Sequence, residues 1–173
     1  MATIVLGITG GIAAYKTPDL VRLLVKEGHT VHVVMTKGAE QFVTPLTLQT
    51  LSKNPVHTEL FDLTQEQTIG HIQLADMADQ VLVAPATANV MAKVAHGICD
   101  DLLSTVICAT RAKVTFAPAM NVHMWENKAT QRNVGMLKEL GYQIIPPASG
   151  DLACGYTGEG RLPELTDIVS VIQ

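Results

Sequence analysis

The stretch Ala2-Thr3-Ile4-Val5-Leu6-Gly7-Ile8-Thr9-Gly10-Gly11-Ile12 decides the fold. Its first seven residues are apolar or β-branched with almost no polar break, the pattern of a strand buried on both faces. The turn Thr9-Gly10-Gly11 follows. From Ile12 to Glu27 the spacing turns helical, with Ala13, Leu20, Leu23 and Leu24 on one stripe. Gly28 stands where a helix C-cap glycine belongs, and 30–35 returns to strand. Strand, glycine turn, helix and strand in that order form a βαβ unit.

Working outward, the pattern repeats. A short helical piece covers 37–42, and a helix opens at Thr44-Pro45, runs to about Leu51 and stops at Asn54-Pro55. The stretch 56–70 reads as a loop with a short strand. A helix at 71–77 precedes a buried strand at 80–84, which Pro85 ends. Helices at 86–95 and 100–110 lead to a strand at 113–117. A helix over 121–140 stops at Gly141, and the last strand is 142–145. A Gly-rich loop at 146–160 leads to a final helix at 162–172. Five apolar strands alternating with helices predict one α/β domain over 1–173, a three-layer, doubly wound parallel sheet of flavodoxin-like type in the order 2-1-3-4-5. In such sheets ligands bind beyond the carboxyl ends of the strands. Here those ends carry Thr9-Gly10-Gly11, Thr36-Lys37, 85–89 and 118–121.

Composition narrows the function classes. The chain of 173 residues is 47% hydrophobic, 16% charged and 4% aromatic, with formal charge −4. Few aromatics and no basic patch argue against nucleic-acid binding. No apolar run approaches the roughly 20 residues of a membrane helix. Three cysteines, an odd number, without a leader-like N-terminus predict a reducing compartment and a cytoplasmic protein. The apolar excess is of the kind a subunit interface absorbs. No metal or Ser-His-Asp site is read: His29, His32, His57 and His96 lack ligand spacing. Cys99 and Cys108 read as buried small apolar residues, and Asp100 and Asp101 as a helix start.

The first turn is not G-x-G-x-x-G, and the second strand ends in Thr36-Lys37 rather than the carboxylate that would hold a dinucleotide ribose. A hydroxyl, a cation and a helix start favour a phosphate. The residues therefore point to a mononucleotide, with FMN the natural candidate.

Five further segments make the reading specific: Gly70-His71-Ile72-Gln73-Leu74, Ala84-Pro85-Ala86-Thr87-Ala88-Asn89, the run from Gly97 to Thr105, Pro118-Ala119-Met120-Asn121-Val122-His123-Met124-Trp125, and Ala153-Cys154-Gly155-Tyr156-Thr157-Gly158-Glu159-Gly160-Arg161. With them the chain resembles the flavin-dependent cysteine decarboxylases from about residue 4 to 168. That resemblance implies FMN-dependent decarboxylation of (R)-4′-phosphopantothenoyl-L-cysteine to 4′-phosphopantetheine, in coenzyme A biosynthesis. A cysteine carboxylate leaves poorly as CO2, because Cα has nowhere to put the electrons. Transient oxidation of the CH2–SH group to a thioaldehyde supplies the sink, CO2 loss gives an enethiolate, and hydride return completes the cycle, with the cofactor carrying the hard step.

By the same resemblance His71 takes a proton as oxidation begins, and Cys154 donates one to the enethiolate from a glycine-rich loop. Asn121 clamps the substrate carboxylate, with Met124, Asp151, Leu152 and Ala153 also at the substrate. Gly10, Gly11, Ile12, Thr36, Thr87, Ala88, Asn89, Val90 and Ala119 hold FMN. Each residue also has an ordinary reading: Asn121 as a helix N-cap, Met124 as core, His71 as a capping or interface histidine, Cys154 as a small loop residue. Relatives often carry Lys or Arg after the His-Ile-x-Leu segment, where this chain has Ala75-Asp76. The substrate phosphate then needs Lys16, Lys93 or Arg161. The resemblance further implies a homotrimer or homododecamer with the flavin at a subunit interface, and a separate ligase for the preceding step.

Three other readings compete. A peptidyl-cysteine decarboxylase of lantibiotic type stops at the enethiol and lacks a cysteine at position 154. A non-catalytic flavin-binding regulator usually carries an acidic tail. The flavin prenyltransferases lack the P-A-M-N-x-x-M-W segment.

Overall fold

Every residue of Thr3–Ile8 except the first is buried, and this strand (β1) lies at the centre of a parallel sheet. A computed structural model describes residues 1–61, 70–153 and 155–172. On one side of β1 lie β2 (Thr30–Met35) and the two-residue β3 (Val56–His57); on the other lie β4 (Gln80–Ala86), β5 (Lys113–Pro118) and the two-residue β6 (Gln143–Ile144). All pairings in this six-stranded sheet are parallel, in the order β3-β2-β1-β4-β5-β6. The five expected strands thus take the expected order, and β3 adds an outer edge.

The period-2 alternation of β1 splits the core into two layers. Ile4, Leu6 and Ile8 pack with Leu20 and Leu24 of α1 (Thr17–Lys26), Leu48 of α2 (Pro45–Ser52) and Ile168 of α8 (Leu165–Val171). Val5 points the other way, with Val81 and Val83, towards α3 (Gly70–Met77), α4 (Ala88–Ala95), α5 (Leu102–Ala109) and α7 (Lys128–Glu139). Gly7 shares that second face. A Cβ there would run into the Leu103 side chain, so glycine lets α5 settle onto the central strand.

Four local expectations change. The helix over 12–27 is two pieces, a 3-10 turn at Ile12–Lys16 and then α1, because Pro18 has no N–H to continue a ladder from the preceding turn. The helix over 121–140 is also two, α6 (Val122–Glu126) and α7. Asn127 leaves helical geometry between them (ψ 132°) and caps α7 by accepting from Ala129 N at 2.9 Å. Pro85 does not end β4, which runs on to Ala86 through a register shift where a missing donor is tolerated. The 146–160 loop contains a hairpin, β7 (Ala148–Asp151) paired antiparallel with β8 (Thr157–Arg161).

Candidate active site

The carboxyl ends of the four inner strands are tied to one another by backbone and threonine contacts. Thr9, buried at the end of β1, donates its hydroxyl to Pro85 O at 2.7 Å and accepts from Thr87 N at 3.0 Å. Thr87 then N-caps α4, its hydroxyl accepting from Val90 N at 3.3 Å. Thr36 N donates to Ile8 O at 3.0 Å, and Ala119 N to Ala86 O at 3.1 Å. At the turn after β1, a Cβ on Gly10 would lie 2.8 Å from Gly38 Cα, so two backbones touch there. At Gly11 the nearest atoms to such a Cβ stand at 3.9 Å, which leaves that side open.

The hairpin forms the facing wall. Met120 N donates to Gly160 O at 2.9 Å, and any Cβ on Gly160 would strike the Met120 carbonyl oxygen. Trp125 of α6, 8% exposed, donates its indole N–H to Glu159 at 3.2 Å. Across the hairpin Thr157 donates its hydroxyl to Asp151 at 2.8 Å.

Two cavities meet between these walls. One of about 770 Å³ is lined by Gly11, Ile12, Ala119, Asn121 and the hairpin residues Asp151, Leu152 and Ala153. The other, about 860 Å³, is lined by Thr36, Asn89, Val90 and the apolar side chains of Leu102 and Leu103. Gly10, Thr87, Ala88 and Met124 border both, so the two are lobes of one crevice. The crevice therefore gathers all the anticipated cofactor and substrate positions. Met124, 48% exposed, stands at the junction rather than in the core. Asn121 is an N-cap as well, its Oδ1 accepting from His123 N at 2.8 Å.

One anticipated residue is not gathered there. His71 sits on α3, half-buried, and lines neither lobe; its Nδ1 is buried with no hydrogen-bond partner among the described residues. Cys154 lies outside the described residues. Two residues beyond the anticipated site positions also shape this end of the sheet, Thr9 and Gly38. The first pairs a buried hydroxyl with the neighbouring strand, and the second repeats after β2 the threonine-then-glycine order seen after β1, a signal that was available.

The charges settle one open choice. Lys93 Nζ lies 2.7 Å from Asp100 and 2.8 Å from Asp101. The hydrogen bonds to Asp100 and Asp101 raise its pKa. Burial pushes the Asp101 carboxyl up, but hydrogen bonds from Lys93 and from Ser104 together take it lower than usual. Two carboxylates thus already neutralise Lys93, which leaves Lys16 and Arg161, both on the first lobe, as cations for a phosphate. Arg161 shares its charge with Glu164 at 3.4 Å.

The residues present fit a flavin mononucleotide. At Gly11 a Cβ would project into the crevice, 3.9 Å from Ala119 O and Thr87 Cγ2, so the missing side chain leaves a cradle that a Cβ would fill. Ala88 and Asn89 open α4, where the first amides of a helix have no internal acceptor. Leu102, Leu103 and Met124 supply an apolar surface for a ring. Among the described residues no group of three or more His, Cys, Asp or Glu could hold a metal, and no helix is long and apolar enough to cross a membrane.

A doubly wound sheet with this crevice at its strand ends defines an α/β protein of flavodoxin-like class. The chain belongs to the Flavoprotein family, whose profile matches residues 1–173. It is 48% identical over 170 residues to the coenzyme A biosynthesis bifunctional protein CoaBC of Bacillus subtilis, covering 98% of this chain; it spans only 42% of that relative's length. It is likewise 48% identical to a probable phosphopantothenoylcysteine decarboxylase of Streptococcus mutans, covering 98% of this chain and 96% of the relative. Among solved structures, a cysteine-to-serine mutant of PPC decarboxylase complexed with pantothenoylaminoethenethiol superposes with TM-score 0.87 at 32% identity, covering 99% of this chain and 96% of that one. The FMN binding protein AtHal3 superposes at 0.86 with 34% identity, covering 99% and 94%.

Proposed function

We propose that this chain is an FMN-dependent carboxy-lyase converting (R)-4′-phosphopantothenoyl-L-cysteine to 4′-phosphopantetheine for coenzyme A synthesis. The observation that carries this reading is the continuity of the two lobes through Gly10, Thr87, Ala88 and Met124. A flavin-sized space opens directly onto a second space rimmed by Asn121 and the hairpin. The relatives named above support the same chemistry.

Bound FMN supplies a reversible two-electron acceptor next to the thiol-bearing carbon of the substrate. The chain does the rest. The amides of Ala88 and Asn89 and the Thr36 hydroxyl hold the flavin phosphate. Gly10, Gly11, Ile12, Thr87, Val90 and Ala119 shape the seat. The Asn121 side chain, fixed by the His123 N–H on its Oδ1, presents its amide nitrogen to the substrate carboxylate. A neutral amide holds a carboxylate without the ion pair that would resist its departure as CO2. Met124, Asp151, Leu152 and Ala153 enclose the cysteinyl end and exclude water, and Lys16 holds the distal phosphate. Cys154 gives a proton to the enethiolate, and the hydride taken earlier, which bound flavin would return, completes the saturated thiol.

His71 takes the thiol proton, an imidazole being suited to that task near neutral pH. Its place on α3, off the crevice of its own chain, favours a homotrimer or homododecamer in which the flavin lies between subunits. Ile12, Tyr15 and Phe61, 56%, 60% and 80% exposed at the crevice rim, are apolar surface for such a contact. A phosphorylated, charged substrate does not cross bilayers unaided, which supports action in the cytoplasm.

The test is direct. Purified protein should be yellow or become so on adding FMN. With 4′-phosphopantothenoylcysteine it should release a product lighter by CO2 alone. Colourless protein that refuses FMN refutes the reading. A monomer in analytical ultracentrifugation of the flavin-loaded protein refutes the shared site.

A further inference from the structure

Cys99 and Cys108 are not the buried apolar residues the sequence suggested; both thiols are free and exposed. They are also neighbours. Cys99 lies in the turn between α4 and α5, where its Sγ faces Gly97 O at 3.7 Å and its carbonyl accepts from the Thr105 hydroxyl at 3.4 Å. Thr105 and Cys108 are three apart on α5 and share a face, so the turn is laid along the face that carries Cys108. The two side chains line one small cavity of about 280 Å³ with Leu140 and Tyr142. Burial, then the neighbouring Cys108 thiol, raises the Cys99 pKa. Burial and the charges of both thiols raise that of Tyr142 as well.

We propose that Cys99 and Cys108 form a reversible dithiol–disulfide site that reacts with small-molecule disulfides of the glutathione type. The Thr105 bond lays the Cys99 turn along the helix face that carries Cys108, and both thiols line one cavity, the neighbourhood a disulfide demands, while exposure admits the oxidant. In the proposed order Cys108 attacks first, as its thiolate. It takes one sulfur of the small disulfide and releases one small thiol. Cys99 then loses its proton and attacks the Cys108 sulfur of the mixed disulfide, expelling the second small thiol. Two protein thiols and one small disulfide become one protein disulfide and two small thiols, and excess thiol reverses the exchange. In a reducing compartment such a bond is transient and reports the local redox state. It would fasten the turn bearing Asp100 and Asp101, the partners of Lys93 on the crevice wall. The proposal is independent of the decarboxylase reading.

Tryptic cleavage after Lys93 and Arg111 puts both cysteines in one peptide, 94–111, and leaves Cys154 in another. The full chain is treated with oxidised glutathione, alkylated and digested. The expected result is a 94–111 peptide lacking two hydrogens and carrying no alkyl group, with dithiothreitol restoring both alkylation sites. Cys99→Ser should instead stop at a single glutathione adduct on Cys108. Three outcomes overturn the proposal: both thiols stay alkylatable, glutathione adducts accumulate on the unmodified sequence without ring closure, or Cys154 pairs with either cysteine.

Discussion

Gly10 and Gly38 meet backbone to backbone on one wall of the crevice, whereas Asn121, Met124 and the β7–β8 hairpin form the other with side chains. The first wall is continuous with the central strands. Its Thr9 and Thr36 contacts are set once the sheet forms, and it has almost no freedom left to lose on binding. The second is a short helix and a two-stranded hairpin held by a few bonds, among them Trp125 to Glu159 and Met120 to Gly160. The contrast suits a site with two tasks. On the function proposed above, a cofactor that stays would be seated on rigid backbone, and a substrate that must enter and leave would be met by groups able to adjust.

The contrast can be broken at either wall. Gly10→Ala should have the largest effect. A methyl 2.8 Å from Gly38 Cα cannot be relieved by a rotamer change, so the two turns must part. We expect about 3 kcal/mol of lost stability, read from urea unfolding, together with loss of yellow colour. A stable, yellow variant would show that this wall is soft. Asn121→Asp should come next. The aspartate keeps the cap on His123 N but sets a negative charge against the substrate carboxylate. Flavin absorbance and thermal stability should hold while decarboxylation falls about a hundredfold or more. Full activity would reduce Asn121 to a cap.

The smallest effect belongs to the Lys93 clasp. Asp101 has its pKa lowered from 3.8, so its contribution is complete above that value and fades as pH falls through the folded-state pKa. Lys93 has its pKa raised from 10.5, so its contribution is complete below that value and is lost as pH rises through the folded-state pKa. Lys93→Met should therefore cost about 1 kcal/mol across the neutral range, with the difference from the unmodified chain shrinking at both acid and alkaline extremes. A pH-independent difference in thermal midpoint would assign the loss to packing instead.

How far the sequence could be read depended on what each signal reports. The strands at 3–8, 30–35, 80–86 and 113–118 announce themselves because burial on both faces requires unbroken apolar runs. Their order follows from the handedness of the crossovers. Helix breaks at Pro18 and Asn127 were missed because apolar spacing persists across them, although a proline or a capping asparagine resets the backbone. The hairpin was read as loop because Ala148, Ser149, Gly150, Thr157, Gly158 and Glu159 carry no β-strand alternation. Its glycines answer to steric contact with Met120 and Val122, which only the folded chain reveals. The strand ends foretold the crevice, since the topology brings them together. The place of His71 off the crevice and the exposure of Cys108 depend on how α3 and α5 turn about their axes, which short helices of weak amphipathicity leave undetermined, and the exposure of Cys99 depends on the path of the turn between α4 and α5.

Both rims of the main sheet finish in stubs, Val56–His57 on one side and Gln143–Ile144 on the other. A stub of two residues offers next to no row of unsatisfied amides and carbonyls for a foreign strand to dock against. Among the described residues, the main sheet therefore gives a second copy little to pair with strand to strand. The same abbreviation guards a chain so rich in apolar strands against runaway β-stacking from those two rims.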